Sequence, residues 1–105
     1  MHTGSDILNA NAYLQSAEIM FELAREFDNL SFIDFGSGFK VAYKENDNTT
    51  DIEEVGKKLR EAYASFVADY GKEVEIWFEP GKYMVSESGY FLMKANVIKP
   101  TPATV

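Results

Sequence analysis

Trp77-Phe78-Glu79-Pro80-Gly81-Lys82 closes an apolar run that begins at Val74. The run delivers a carboxylate, Glu79, directly into a Pro-Gly bend. An α/β protein presents an acid in this way at the carboxyl end of a buried strand, where ligands sit in α/β barrels and open α/β sheets. Two other stretches are placed to meet it: His2-Thr3-Gly4-Ser5-Asp6 and Asp34-Phe35-Gly36-Ser37-Gly38-Phe39. Each lies at a strand end or at the start of the chain, and each is followed by a helix. The three stretches read as one site, with the rest of the chain as its support.

Outward from these stretches the periodicities alternate. Tyr13, Ala17, Met20, Ala24 and Phe27 step by three and four, the spacing of one helical face, and predict a helix over residues 11–27. Asn9 or Asn11 caps it, and Asp28-Asn29 ends it. Residues 30–35 are short, apolar and β-prone, so they read as a buried strand. A polar loop follows over residues 40–49. Thr50 and Glu53 have the spacing of a capping box for a second helix, whose buried face is Ile52, Val55, Leu59, Ala62, Phe66 and Tyr70. Glu53 with Lys57 and Glu54 with Lys58 are favourable i,i+4 pairs, each worth about 0.2–0.5 kcal/mol. Gly71 is suited to the turn after that helix. Residues 74–78 form the next strand, residues 83–88 a short helical turn, and residues 90–98 an extended strand before a tail with Pro100 and Pro102. Apolar strands alternating with helices predict a parallel sheet, here with both long helices on one face.

Composition sets the limits. The chain has 105 residues, of which 46% are hydrophobic and 26% charged, enough for one core. It is too short for a complete (β/α)8 barrel, which takes roughly 250 residues. The net charge of −7 argues against nucleic acid or an anionic membrane as partner. There is no cysteine, hence no disulfide framework and no thiolate metal site. No apolar run approaches the ~20 residues of a membrane span.

The chemistry-bearing residues each have two readings. Gly36-Ser37-Gly38 after a strand leaves backbone amides uncovered, a concavity that suits a phosphate. The other reading is a plain tight turn. His2, the only histidine, stacks on a ring or stands in solvent, and no second histidine supports a metal. Ser5 donates to a phosphate, or Ser5 or Asp6 merely caps the first helix. Glu79 is a site acid, or the surface partner of Lys82.

Taken together and in order, the three motifs resemble those of the alanine-racemase-fold decarboxylases that use pyridoxal 5'-phosphate (PLP), the diaminopimelate decarboxylases most closely. That family carries His-x-Gly-Ser, Gly-Gly-Gly-Phe/Leu and Glu-Pro-Gly-Arg motifs separated by barrel helices. The counterparts here are His2-Thr3-Gly4-Ser5, Gly36-Ser37-Gly38-Phe39 and Glu79-Pro80-Gly81-Lys82. The resemblance implies an α/β fold: the last strands and helices of a partial (β/α)8 barrel over residues 1–89, running into the first strand of a C-terminal β-domain over residues 90–105. It implies that His2 stacks on the cofactor ring and Ser5 meets the phosphate. Gly36, Ser37 and Gly38 match the phosphate loop, and Glu79 matches the acid that pairs with the pyridine nitrogen. Gly81 belongs to the same cofactor-binding motif. A carboxylate there keeps the nitrogen protonated, which makes the ring a better electron sink. Two positions depart from the pattern. Ser37 replaces a glycine, tolerable where φ is negative. Lys82 replaces an arginine that binds phosphate or substrate carboxylate; lysine lacks the planar fork, but the resemblance implies that Lys82 takes the same role, toward phosphate or substrate, as a point charge.

The resemblance further implies removal of CO2 from meso-diaminopimelate to give L-lysine, with ornithine, arginine or carboxynorspermidine as alternative substrates. A non-catalytic phosphate-binding or scaffold domain is the reading of another class. The family's Schiff-base lysine precedes the histidine motif, and its C-terminal domain supplies a cysteine and a tyrosine; none has a counterpart here. The expectation is an internal fragment of a cytoplasmic, homodimeric enzyme, inactive alone and self-associating through open sheet edges.

Overall fold

Tyr13, Ala17, Phe21 and Ala24 stand on one stripe of the first helix and are buried there. The computed structural model describes residues 1–98. The first helix, α1, runs Ala10–Ala24, and Asn9 caps it by accepting from the Asn11 amide. It ends three residues earlier than the periodicity predicts, because the Glu26 amide tightens onto the Leu23 carbonyl at 3.1 Å. Phe27 therefore falls off the stripe and is exposed, Met20 is only partly buried, and Phe21 takes the core position.

The second helix, α2, spans Ile52–Tyr70. Its cap is Asp51, whose carboxylate accepts the Glu54 amide at 2.9 Å, not Thr50. Thr50 is buried and otherwise engaged: its hydroxyl donates to the Ile7 carbonyl at 2.6 Å and accepts the Lys40 amide at 2.6 Å. Val55, Leu59 and Phe66 are buried on the expected face, with Ile52, Ala62 and Tyr70 packed against them. Lys58 pairs with Glu54 at 3.2 Å. Gly71 closes the helix with φ of 82°, in the left-handed region that glycine enters without cost.

Between the helices lie two short strands, β1 at Phe32–Asp34 and β2 at Glu75–Trp77, paired parallel with Ile33 opposite Ile76. The pairing runs past these bounds, since the Phe35 amide donates to the Trp77 carbonyl and the Glu79 amide to the Gly36 carbonyl. The N-terminal stretch is more than a turn. It runs beside the second motif, with the Met1 nitrogen donating to the Asp34 carbonyl at 2.9 Å and Ile7 bridged in parallel to Phe39. Three segments thus lie side by side.

Ile33, Phe35 and Val74 face the helices and join their aromatic core, in which Phe21 stacks on Phe66 at 4.8 Å. The opposite face is open: Phe32 and Trp77 stack at 4.1 Å there, and both are exposed. Both long helices therefore cover one face of the parallel sheet. After β2 comes a single helical turn, α3, at Lys82–Val85. The strand expected over residues 90–98 does not form. A strand needs a neighbour to take its amides and carbonyls, and these residues are exposed along their length. The tail with Pro100 and Pro102 lies outside the described residues. Among the described residues no helix is long and apolar enough to cross a membrane.

Candidate functional site

His2, Ser5, Gly36, Ser37, Gly38, Glu79, Gly81 and Lys82 all line one cavity of about 280 Å3, with Met1, Gly4, Phe39 and Tyr83 completing it. It sits beyond the carboxyl ends of the parallel strands, where their backbones turn away and leave a gap.

Gly36 and Gly38 are what make the gap close-walled. Both have positive φ, 64° and 97°. A Cβ on Gly36 would come within 2.0 Å of the Met1 carbonyl oxygen, and one on Gly38 within 2.1 Å of the Gly4 carbonyl oxygen. These glycines let the N-terminal stretch lie against the loop, a demand that a plain tight turn would not make. Ser37 between them has negative φ, so its Cβ is no obstacle. The loop is pinned at its start by Asp34, whose carboxylate accepts the Gly36 amide at 2.7 Å. The amides of Ser37, Gly38 and Phe39 donate to no acceptor among the described residues. A run of uncommitted amides around a glycine loop is a donor set suited to an anion.

The remaining residues divide clearly. Asn9 caps α1, so neither Ser5 nor Asp6 does. Glu79 is exposed, held by its own amide on the Gly36 carbonyl at 2.8 Å. It makes no ion pair among the described residues, and Lys82 is not its partner. The Lys82 ammonium donates instead to the Ser5 carbonyl at 2.6 Å, to the Asp6 carboxylate at 2.5 Å and to the Tyr43 hydroxyl. Hydrogen bonds from Lys82 and then Tyr43 hold the Asp6 carboxyl below the usual carboxylate range, and Asp6 above all raises Lys82. His2 is exposed at the rim. Thr3 does not line the cavity, and its buried hydroxyl has no partner among the described residues. Beneath the floor, the Tyr13 hydroxyl donates to the Phe35 carbonyl at 3.3 Å, and burial, aided by Asp34, pushes its phenol up to about 12.

Tyr43 and Tyr83 have no signal in the sequence. Tyr43 lies in a polar loop, and only the fold of residues 40–49 brings it to Lys82. That loop is held by Lys40, which pairs with Asp47 at 2.6 Å and lies over the Tyr43 ring at 4.8 Å. Tyr83 reaches the cavity from α3, packed edge-on to Phe39 at 5.9 Å.

Residues 1–86 match the family described as pyridoxal-dependent decarboxylase, pyridoxal binding domain. Among curated proteins, the chain is similar to diaminopimelate decarboxylases from several organisms. It is 32% identical to that of Bacillus subtilis over 96% of the chain and 24% of that protein. It is 31% identical to that of Staphylococcus aureus, over the same shares of each chain. It is 29% identical to that of Methanothermobacter thermautotrophicus over 93% of the chain and 24% of that protein. The chain spans about a quarter of the length of the curated relatives it matches.

Proposed function

The chain belongs to the pyridoxal-dependent decarboxylases, through their pyridoxal-binding domain, and from that premise we propose that it supplies part of the PLP site of a diaminopimelate decarboxylase. The reaction would release CO2 from meso-diaminopimelate and leave L-lysine. The observation that carries the reading is that eight residues from three separated motifs line a single cavity.

The cavity suits the cofactor in two respects. Its glycine loop presents amides without acceptors among the described residues, which fits a phosphate, and beside that loop stands a carboxylate without a cation partner among the described residues, which fits a ring nitrogen. In this reading the Ser37, Gly38 and Phe39 amides and the Ser5 hydroxyl hold the phosphate. His2 would stack on the ring, and Gly81 would belong to the same cofactor-binding motif as Glu79. Glu79 keeps a proton on the pyridine nitrogen, since an anion in hydrogen-bond reach favours the protonated form. When bound, PLP supplies an electron sink for the charge left behind by CO2. The lysine that would anchor PLP lies outside these residues, as does the remainder of the barrel that the parallel sheet would complete. We place the whole enzyme in the cytoplasm as a homodimer acting on a small-molecule amino acid.

Glu79→Gln in the complete enzyme carrying this sequence tests the assignment. The variant should still take up PLP, followed by its absorbance, and should lose CO2 release by roughly 100-fold or more, the usual scale for a proton-holding group. Full activity would remove Glu79 from the nitrogen. Faster CO2 release from ornithine, arginine or carboxynorspermidine than from diaminopimelate would move the substrate but not the reaction class.

A further inference from the structure

Three segments that are distant in sequence meet at one nitrogen. The Lys82 ammonium, in the first turn after the Pro-Gly bend, touches the Ser5 carbonyl, the Asp6 carboxylate and the Tyr43 hydroxyl. The Tyr43 hydroxyl also donates to the same Asp6 oxygen at 2.8 Å, which closes the ring of contacts. The ammonium sits off the hydroxyl end of the Tyr43 ring, 5.1 Å from its centroid. Tyr43 is fixed from its own side by Asp47, which accepts its amide at 3.1 Å.

We propose that Lys82 is a positioning residue: its ammonium clasps the N-terminal wall of the cavity to the rest of the site and takes no ligand itself. An ammonium has three donors and no acceptor. All three are committed here, to three acceptors on two separate segments. Its charge is balanced by Asp6 at 2.5 Å, so little field is left for a phosphate or a substrate carboxylate. Ser5, which lines the cavity, is held through its carbonyl, so Lys82 acts on the site through Ser5. Anion recognition then falls to the glycine-loop amides. The same geometry explains a lysine at this position. A compact point donor aims three hydrogen bonds from one atom, whereas a guanidinium spreads its donors over a planar fork.

The inference rests on the PLP reading for its activity measurements only. The test compares Lys82→Ala, Lys82→Arg, Asp6→Asn and Tyr43→Phe in the complete enzyme. Amide hydrogen exchange of residues 1–9, which include the Ile7 amide bonded to Gly38, should speed up by about tenfold in Lys82→Ala and Asp6→Asn, the scale of a lost charge-assisted bond. The Lys82→Ala/Asp6→Asn double variant should exchange no faster than the quicker single variant, because the two residues act as one unit. Lys82→Arg should fail to restore slow exchange. The dissociation constant for PLP should rise, while KM for diaminopimelate at saturating PLP stays within about twofold of wild type. If Lys82→Ala leaves exchange unchanged, there is no clasp. A tenfold rise in that KM in Lys82→Ala, with Asp6→Asn and Tyr43→Phe at wild-type values, would make Lys82 a ligand contact and overturn the proposal. If Lys82→Ala does not fold, Asp6→Asn and Tyr43→Phe carry the same measurements. An unmodified enzyme that takes up no PLP sinks the cofactor reading and leaves the exchange result to decide the clasp.

Discussion

Gly38 and Gly36 do two jobs that a sequence motif cannot separate. Their missing side chains leave the loop amides open, and they admit the Met1 and Gly4 carbonyls at distances no Cβ permits. Gly38→Ala should therefore destabilise the chain by roughly 2–4 kcal/mol, from a strained positive φ together with overpacking against backbone. Ser37→Gly should change it by less than about 1 kcal/mol, since Ser37 already has an ordinary φ. Urea unfolding of the two variants gives the comparison. Equal stabilities would mean that the N-terminal stretch does not lie against the loop. A corollary concerns function: weaker PLP binding in a Gly38 variant reports a displaced wall as much as a blocked amide. Ser37 variants are the cleaner probe of the phosphate loop.

The start of α2 shows how an element draws on long-range contacts. Thr50 and Glu53 have the spacing of a capping box, yet the helix starts one residue later on Asp51. Thr50 is spent on the Ile7 carbonyl and the Lys40 amide, which tie the end of the 40–49 loop to the N-terminal stretch. Asp51→Ala should cost about 1 kcal/mol as a lost cap. Thr50→Val should cost about 1–3 kcal/mol by leaving two backbone groups unsatisfied at a buried position. Glu53→Ala should fall within about 0.5 kcal/mol, as surface changes do. Thermal or urea melts of the three variants decide it. A large Glu53 effect with a negligible Asp51 effect would restore the capping box.

At the scale of the molecule, the covered and open faces of the sheet differ sharply. Ile33, Phe35 and Val74 are sealed by α1 and α2, while Phe32 and Trp77 stack in the open on the other side. Tyr90, Phe91, Leu92 and Met93 add an exposed apolar run, Tyr90 being 99% exposed. An apolar surface of this extent rarely stays uncovered in a monomer, and two sheet edges offer unpaired amides and carbonyls. The 105-residue chain should therefore self-associate, and it should release no CO2 from diaminopimelate with added PLP. Size-exclusion chromatography with light scattering should find species heavier than the 11.9 kDa monomer. A cooperative monomer at that mass would overturn the association.

Local patterns carried much of this protein. The 3.6-residue stripes of α1 and α2, the parallel apolar strands and the left-handed Gly71 are local consequences of side-chain type and backbone freedom, so the sequence by itself determined them. It also pointed the three motifs at one site, because strand-end motifs in a parallel sheet converge on one end, while the eight residues within them were implied by the family resemblance and line one cavity. Tertiary structure decided what those residues touch. Phe27 fell outside the core because the helix tightened early, and Phe21, not Met20, took the core position between Ala17 and Ala24. Residues 90–98 formed no strand because strand pairing needs a second chain segment beside it. Lys82 turned from Glu79 to Asp6, Ser5 and Tyr43 because an ammonium takes the acceptors nearest in space, and no spacing in the chain records that the 40–49 loop folds back to supply one of them.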